Sequence, residues 1–472
     1  MSNEHLPVAV IGAGPVGLAA AAHLLEQDQE PVVFEAGSSV GASVLGWGHV
    51  RVFSPWRYVV DDAAQRLLES TGWATPDPES YPTGLEIVER YLAPLAAIPQ
   101  LASRLRLGQR VTSVVRAGFD KMKTEGREAA PFAVTFRGND GAEQTILARA
   151  VVDASGTSTA PNPAGASGVP AIGERALADR IAYGIPDVLG AQRARYAGKR
   201  VLVVGSGHSA FNALLDLVDL ADDAPGTSVT WAVRKPADRL GTLFGGGIDD
   251  ALPARGELGA RVRRLVDDGR LRLVADFRVA RMTDTEDGIV VAGEDAVLPP
   301  IDEVVVATGL RPDLSFLTEV RLGLDPAVES PTALAPLIDP NLHSCGSVPP
   351  HGARELTHPE SDLYLVGMKS YGRAPTFLML TGYEQVRSVA AAIAGDWAAA
   401  DDVRLVLPET GVCSSGILAE RGVACCAADA ASEATGAACC GGSEGQAAGS
   451  CCGAAVPQVI QLTAATKGGC CG

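Results

Sequence analysis

Short apolar runs punctuate the chain: Val8-Ala9-Val10-Ile11, Pro31-Val32-Val33-Phe34, Ala150-Val151-Val152, Val201-Leu202-Val203-Val204, Val304-Val305-Val306 and Leu363-Tyr364-Leu365-Val366. None alternates with polar residues, so each reads as a strand buried on both faces, as parallel sheets covered by helices require. Alternation does appear in Arg110 to Val115, Phe132 to Phe136 and Gln144 to Leu147, the pattern of a small antiparallel sheet. Helical spacing predicts helices from the Ala-rich segment ending near Gln27, from Asp61 to Gly72, Gly84 to Ile98, Ala210 to Leu220 and Thr376 to Ala394. Pro82-Thr83 starts the third of these, and Gly395 is a C-cap for the last.

The strand–helix junctions carry the chemistry. After the first strand comes Gly12-Ala13-Gly14-Pro15-Val16-Gly17, and the second strand ends in Glu35. In this G-x-G-x-x-G order Gly12 permits the tight turn, Gly14 lets the backbone approach a pyrophosphate, and Gly17 lets helix and strand pack closely. Phosphates then sit on the helix N-terminus, with Pro15 at its start. Glu35 is placed to accept hydrogen bonds from ribose hydroxyls. The following segment, Ala36 to Trp56, reads equally as a loop over a large planar ligand or as a Gly-rich connection with anchored aromatics.

A second unit repeats the pattern. Val201 to Val204 leads into Gly205-Ser206-Gly207-His208-Ser209-Ala210, and the strand Ser228 to Val233 ends in Arg234-Lys235 instead of an acid. Two cations at that place favour a 2′-phosphate, hence NADPH over NADH, and leave the first unit with Glu35 as the FAD site. His208 reads as packing beside the phosphate turn. Ala150-Val151-Val152-Asp153-Ala154-Ser155-Gly156 and Val304-Val305-Val306-Ala307-Thr308-Gly309 are related runs flanking the second unit, and their glycines, with Gly367, permit close approach to a cofactor. The expected architecture is α/β, with two Rossmann-like dinucleotide-binding domains, the NADPH domain inserted in the FAD domain. Residues 1–165 and 301–400 form the FAD domain, 166–300 the NAD(P)H domain, and 409–472 a flexible tail.

Composition narrows the function classes. Of 472 residues, 47% are hydrophobic and 20% charged, so there is ample material for more than one core. The net charge of −17 argues against nucleic-acid and anionic-lipid partners, which need Lys and Arg. The apolar stretch Pro7 to Leu25 lacks a basic lead-in, so the expected protein is cytoplasmic with no membrane span. Only Cys345 among the ten cysteines precedes residue 409. Nine fall in the last 64 residues, a segment without aromatics or His that cannot bury enough surface to stay ordered.

Taken together, Gly12 to Gly17 with Glu35, Tyr196-Ala197-Gly198-Lys199-Arg200 running into the second glycine motif, and Ala307-Thr308-Gly309 resemble the two-domain FAD/NAD(P)H oxidoreductases, and within them flavin-containing monooxygenase-like proteins. Pro82-Thr83-Gly84, Tyr183-Gly184-Ile185-Pro186-Asp187 and Ile338 to Gly346 are similar, more narrowly, to flavin monooxygenases of bacterial arsenic-resistance operons. The resemblance covers residues 6 to 396. It implies FAD, NADPH and O₂ as reactants. Two departures stand out. Ile181 to Ala194 lacks the His of the monooxygenase fingerprint, and Gly367 is followed by Met368-Lys369 where many relatives have an Asp that contacts the ribitol. The C-terminal half of the FAD site is therefore expected to be built differently.

Cys425-Cys426, Cys439-Cys440, Cys451-Cys452 and Cys470-Cys471 are vicinal pairs. Adjacent thiols close a disulfide ring poorly but share one soft centre such as As(III) or Hg(II) readily. The last pair also resembles the C-terminal redox pairs of large thioredoxin reductases and mercuric reductase, yet no C-x-x-C or C-x₄-C exists to relay electrons to it. Cys345 is the candidate catalytic thiol, or a small buried hydrophobe. Three functions follow: an NADPH-dependent flavin monooxygenase for a soft, thiol-bound small molecule or metalloid; a disulfide or metal-ion reductase shuttling through the tail; and a flavoprotein whose tail senses metalloids. The oligomeric state is open, a homodimer included.

Overall fold

The computed structural model describes residues 5–245, 252–342, 348–375 and 377–405. Cys345 and every cysteine of the tail lie outside these residues, as does the whole of 409–472.

The run Val8–Ile11 is fully buried and forms the central strand of a five-stranded sheet. It pairs in parallel with Pro31–Glu35 on one side (Val8 opposite Pro31) and Ala150–Asp153 on the other (Val8 opposite Ala150). Leu363–Leu365 and Leu105–Leu107 form the edges, also in parallel. One face is covered by the helix Pro15–Glu26, whose Leu18 to Ala22 and Leu24 are nearly free of solvent. Such an all-round apolar helix needs cover on both sides, and Met379–Ile393 packs on its outer face. The other face takes the predicted antiparallel sheet, Arg110–Arg116, Phe132–Arg137 and Glu143–Ala148. Phe34 and Phe136 meet there with ring centroids 4.8 Å apart.

The helix starting after Thr83 is capped as expected, Thr83 and Glu86 bonding each other's backbone N–H. It widens to a π-turn over Val88–Leu92. Pro94 has no N–H to offer Arg90 O, and the indole Nε1 of Trp73 donates to that carbonyl instead, at 2.8 Å.

The second sheet has the order Arg272–Val274, Ser228–Ala232, Arg200–Val204, Glu303–Val306, Ile181–Tyr183, all parallel. The sequence reading assigned residues 301 onward to the first domain. The strand Glu303–Val306 instead lies between Arg200–Val204 and Ile181–Tyr183 in this sheet. An apolar run closed by a small-residue turn fits either sheet equally well. What fixes this one is Asp302, which binds the backbone N, Nε and Nη2 of Arg200 at 2.7–3.0 Å. The Arg200 guanidinium holds the Asp302 carboxyl down to about 2.

Two connectors join the sheets side by side. Pro161 pairs with Leu310, Asn162 N donates to Gly309 O, and Thr308 Oγ1 donates to the carbonyls of Asn162 and Pro163. Among the described residues no helix is long and apolar enough to cross a membrane.

Charge is also buried behind the first sheet. Arg116 and Arg127 both bind Glu360, at 2.8 and 2.7 Å, and all three are at most 3% exposed. Burial opposes ionisation of Glu360, but the two guanidiniums and the Arg321 N–H more than offset it and keep the carboxyl below its usual range. Close by, burial lowers the imidazole of His358 to about 4, while its Nδ1 lies 3.3 Å from the N and the O of Gly323. Unfolding restores an ordinary pKa of 6.5, so the unfolded chain takes up the proton first as pH falls. His358 therefore costs nothing above 6.5; stability declines as pH drops through that value, and the loss is complete below about 4. The loss is at most about 3 kcal/mol. Urea unfolding at stepped pH is expected to show this decline, and His358→Asn is expected to remove part of it.

Candidate active site

Both glycine turns sit at the C-terminal ends of central strands, where parallel α/β sheets place their ligands. In the first, Gly12 has φ +99°, and a Cβ there would lie 2.7 Å from Ala154 O. A Cβ on Gly17 would lie 1.9 Å from Gly12 O. The glycines therefore let the central strand, the helix and the loop after Asp153 meet backbone to backbone. Gly14 differs. It heads the helix at the Ncap position, ahead of Pro15, with no side chain capping the turn, and a Cβ there would meet nothing within 4 Å.

The second turn repeats this. Gly205 has φ +132° and abuts Ala307 O, whereas Gly207 heads the helix His208–Asp223 uncapped and with open space above it. Two uncapped helix N-termini, each with open ground before it, fit the phosphates of two dinucleotides. Ser206 and Ser209 are exposed beside the second turn.

The carboxylate of Glu35 reaches back to its own turn. Oε2 accepts from Ala13 N at 2.8 Å and Oε1 from Gly37 N at 2.7 Å. It is held rigidly, and a carboxylate retains further lone-pair positions for ribose hydroxyls. In the second unit Arg234 is exposed, and its Nη1 donates to Ala166 O in the connector at 2.9 Å; Lys235 Nζ donates to Thr242 Oγ1 at 2.8 Å. The His208 ring sits tilted against Phe53, from the first unit, and edge-on to Phe211, at centroid distances of 5.2 and 5.9 Å. Gly309 (φ +95°) lies in the paired connectors. Gly367 (φ +66°) packs on Val16 of the first helix and donates its N–H to Gln385 Oε1 at 2.7 Å. Cys345 and the pairs Cys425-Cys426, Cys439-Cys440, Cys451-Cys452 and Cys470-Cys471 lie outside the described residues.

The missing Asp after Gly367 has a structural counterpart. Lys369 is completely buried, with Nζ 2.6 Å from Asp153 Oδ2 and 2.9 Å from Ser155 Oγ. Asp153 Oδ1 in turn accepts from the N and Oγ of Ser155. An ion pair thus ties the end of strand Ala150–Asp153 to the 3₁₀ turn Gly367–Tyr371, which follows strand Leu363–Leu365, under the loop that packs on Gly12. Sequence reasoning singled out Lys369 as a departure but found no partner for it, because Asp153 stands more than two hundred positions away. It also missed the Phe53–His208 contact, for which the sequence carries no signal.

Between the two units opens a cleft of about 680 Å³, walled by Leu45, His49 and Leu85 on one side and Tyr183, Ile185 and Asp187 on the other. Among the described residues no cluster of His, Cys, Asp and Glu could hold a metal ion.

Comparison with known proteins agrees with this geometry. A family model described as pyridine nucleotide-disulphide oxidoreductase matches residues 6–329. A ferredoxin–NADP reductase from Salinispora arenicola is 30% identical over 326 residues, 68% of this chain and 79% of that protein. Flavin-containing monooxygenase FMO GS-OX-like 2 from Arabidopsis thaliana is 27% identical over 237 residues, 46% of this chain and 48% of its own. Among solved structures, bacillithiol disulfide reductase from Bacillus cereus superposes with a TM-score of 0.59 at 20% identity, over 83% of this chain and 99% of that one, a likeness of fold.

Removing one partner of a buried ion pair strands the other. Lys369→Met is expected to destabilise the protein by about 3–5 kcal/mol, and Lys369→Met with Asp153→Asn to recover much of that loss. Denaturant titrations of the three proteins check this.

Proposed function

The chain belongs to the pyridine nucleotide-disulphide oxidoreductase family, and from that premise we propose that this FAD- and NADPH-dependent oxidoreductase is a monooxygenase acting on a soft, thiophilic substrate, a trivalent arsenical first among them. One observation carries the choice of oxygen as acceptor. The sequence holds no C-x-x-C or C-x₄-C, so the dithiol beside the flavin that a disulfide relay uses is missing. The similarity to a plant flavin-containing monooxygenase supports the same reading. The substrate class rests on the four vicinal cysteine pairs, whose adjacent thiols suit a thiophilic centre.

Bound FAD supplies the transfer of two electrons from the nicotinamide towards oxygen. The chain supplies placement. The open N-termini at Gly14 and Gly207 receive the two pyrophosphates, and Glu35, locked by Ala13 and Gly37, faces the FAD ribose. Arg234 and Lys235 bind the 2′-phosphate of NADPH, Arg234 exchanging Ala166 O for it. The tilted ring contact of Phe53 with His208 brings the two turns within one contact of each other. The scheme needs no acid–base side chain at the reacting atom.

A second reading keeps the tail pairs as a redox shuttle in a disulfide or metal-ion reductase. It draws on the fold shared with bacillithiol disulfide reductase. A third makes the tail a metalloid sensor with little turnover.

Full-length protein with FAD is expected to consume NADPH and O₂ together, faster when methylarsenite is present. If arsenite and methylarsenite leave both rates unchanged, the arsenical reading is wrong; anaerobic NADPH-driven reduction of DTNB, lost on truncation after Pro408, would move the assignment to the reductase. Arg234→Ala is expected to raise KM for NADPH about 10- to 100-fold while barely changing that for NADH, the cost of one charge-assisted phosphate contact.

A further inference from the structure

The cleft between the units has a charge pattern that selects its occupant. Its near wall, Leu45 and His49, runs into Leu85, whose N–H donates to Gly48 O just after the Thr83 cap. Its far wall is anchored too. Tyr183 Oη donates to Glu174 Oε1 at 2.8 Å, and that buried carboxylate also accepts from the N–H groups of Ala164 and Ala171 in the connector. Both walls are therefore built into the fold. Leu45, Leu85 and Tyr183 remain 39%, 44% and 41% exposed, so an apolar mouth stands open to solvent. Among the described residues no lysine or arginine lines the cleft, and Asp187 contributes a carboxylate, held in place by the N–H groups of Gly190 and Ala191 at 3.1 and 2.8 Å. Nε2 of His49 is buried beneath the near wall, with no hydrogen-bond partner among the described residues.

We propose that this cleft is the substrate site, and that it takes an uncharged molecule with an apolar body and a hydroxylated head, such as a trivalent organoarsenical R–As(OH)₂, while excluding the pentavalent oxyanion. The proposal rests on the function argued above and deepens it. An apolar substituent covers the exposed leucines, and a hydroxyl donates to a free lone pair of the Asp187 carboxylate. An anion finds no guanidinium or ammonium here and meets a carboxylate. The reaction then drives its own release: R–As(OH)₂ + O₂ + NADPH + H⁺ gives R–AsO(OH)₂ + NADP⁺ + H₂O. Arsenic and NADPH each give two electrons, O₂ takes four, and one oxygen atom forms the new As–O bond while the other leaves as water. The product is a stronger acid than the substrate. It ionises at neutral pH and is repelled from the cleft that held its precursor.

Binding, not turnover, tests this, in full-length FAD-loaded protein by equilibrium dialysis. Phenylboronic acid is uncharged at neutral pH and offers a phenyl body and two hydroxyls without affinity for the tail thiols. Phenylarsonate is the anionic form. The boronic acid is expected to bind and phenylarsonate not to. Leu85→Arg, and independently Leu45→Arg, are expected to weaken the boronic acid about tenfold and to admit phenylarsonate. Phenylarsonate binding the unaltered protein as tightly as the boronic acid, or both arginine variants leaving the two affinities unchanged, overturns the proposal. Should the boronic acid bind as expected while no arsenical stimulates NADPH and O₂ use, the arsenical function fails and the selectivity of the cleft for uncharged ligands stands.

Discussion

Backbone-to-backbone contact at the strand ends is the constraint on which the rest depends. Gly17 presses on Gly12, and Gly12 presses on Ala154, at distances that leave no room for a β-carbon. In the second unit Gly205 presses on Ala307 in the same way. Each contact fixes three things at once: the angle at which the helix leaves its strand, the neighbour across the sheet, and the open ground in front of the helix N-terminus. The loops Ala154–Gly156 and Ala307–Gly309 are thus counterparts. Each closes the phosphate turn of its own unit, which is why their sequences are alike although they lie in different sheets.

Buried charge secures the two places where strand ends alone would be loose. Lys369, in the turn after Leu363–Leu365, and Asp153, at the end of the neighbouring strand, pair beneath the Gly12 loop, both fully buried. Arg116, Arg127 and Glu360 join the antiparallel sheet to the segment just before Leu363. Ion pairs of this kind add little net stability against an apolar alternative but make the unpaired state costly, so they specify which segments meet. The geometry they fix is that of the first dinucleotide site.

The two units are joined by connectors that bond to each other through Asn162, Thr308 and Gly309. Arg234, proposed as the anchor for the 2′-phosphate, follows the strand Ser228–Ala232 and donates to Ala166 O beside these connectors. That hydrogen bond ties the end of the strand Ser228–Ala232 to the joint between the units. The cleft with its apolar mouth lies along the same division, one wall from each unit.

By itself the sequence determined the local elements. Unbroken apolar runs, glycine spacing and the helix start at Pro82-Thr83 depend on neighbours within a few positions, so strand, turn and helix at Val8 to Glu35 and Arg200 to Val233 were legible, and with them two dinucleotide-binding units and the contrast of Glu35 with Arg234-Lys235. Partnership across the chain was not. Val304 to Gly309 suited either sheet until hydrogen bonding to Arg200–Val204 and the Asp302–Arg200 pair chose one. Lys369 was visible as a departure, but only folding brought Asp153 to it, and only folding set Phe53 against His208 and faced Leu85 towards Tyr183. The reason is range. Periodicity and capping are short-range properties that a sequence displays directly, whereas a buried charge pair or a cleft between units exists only where distant segments have already been packed together.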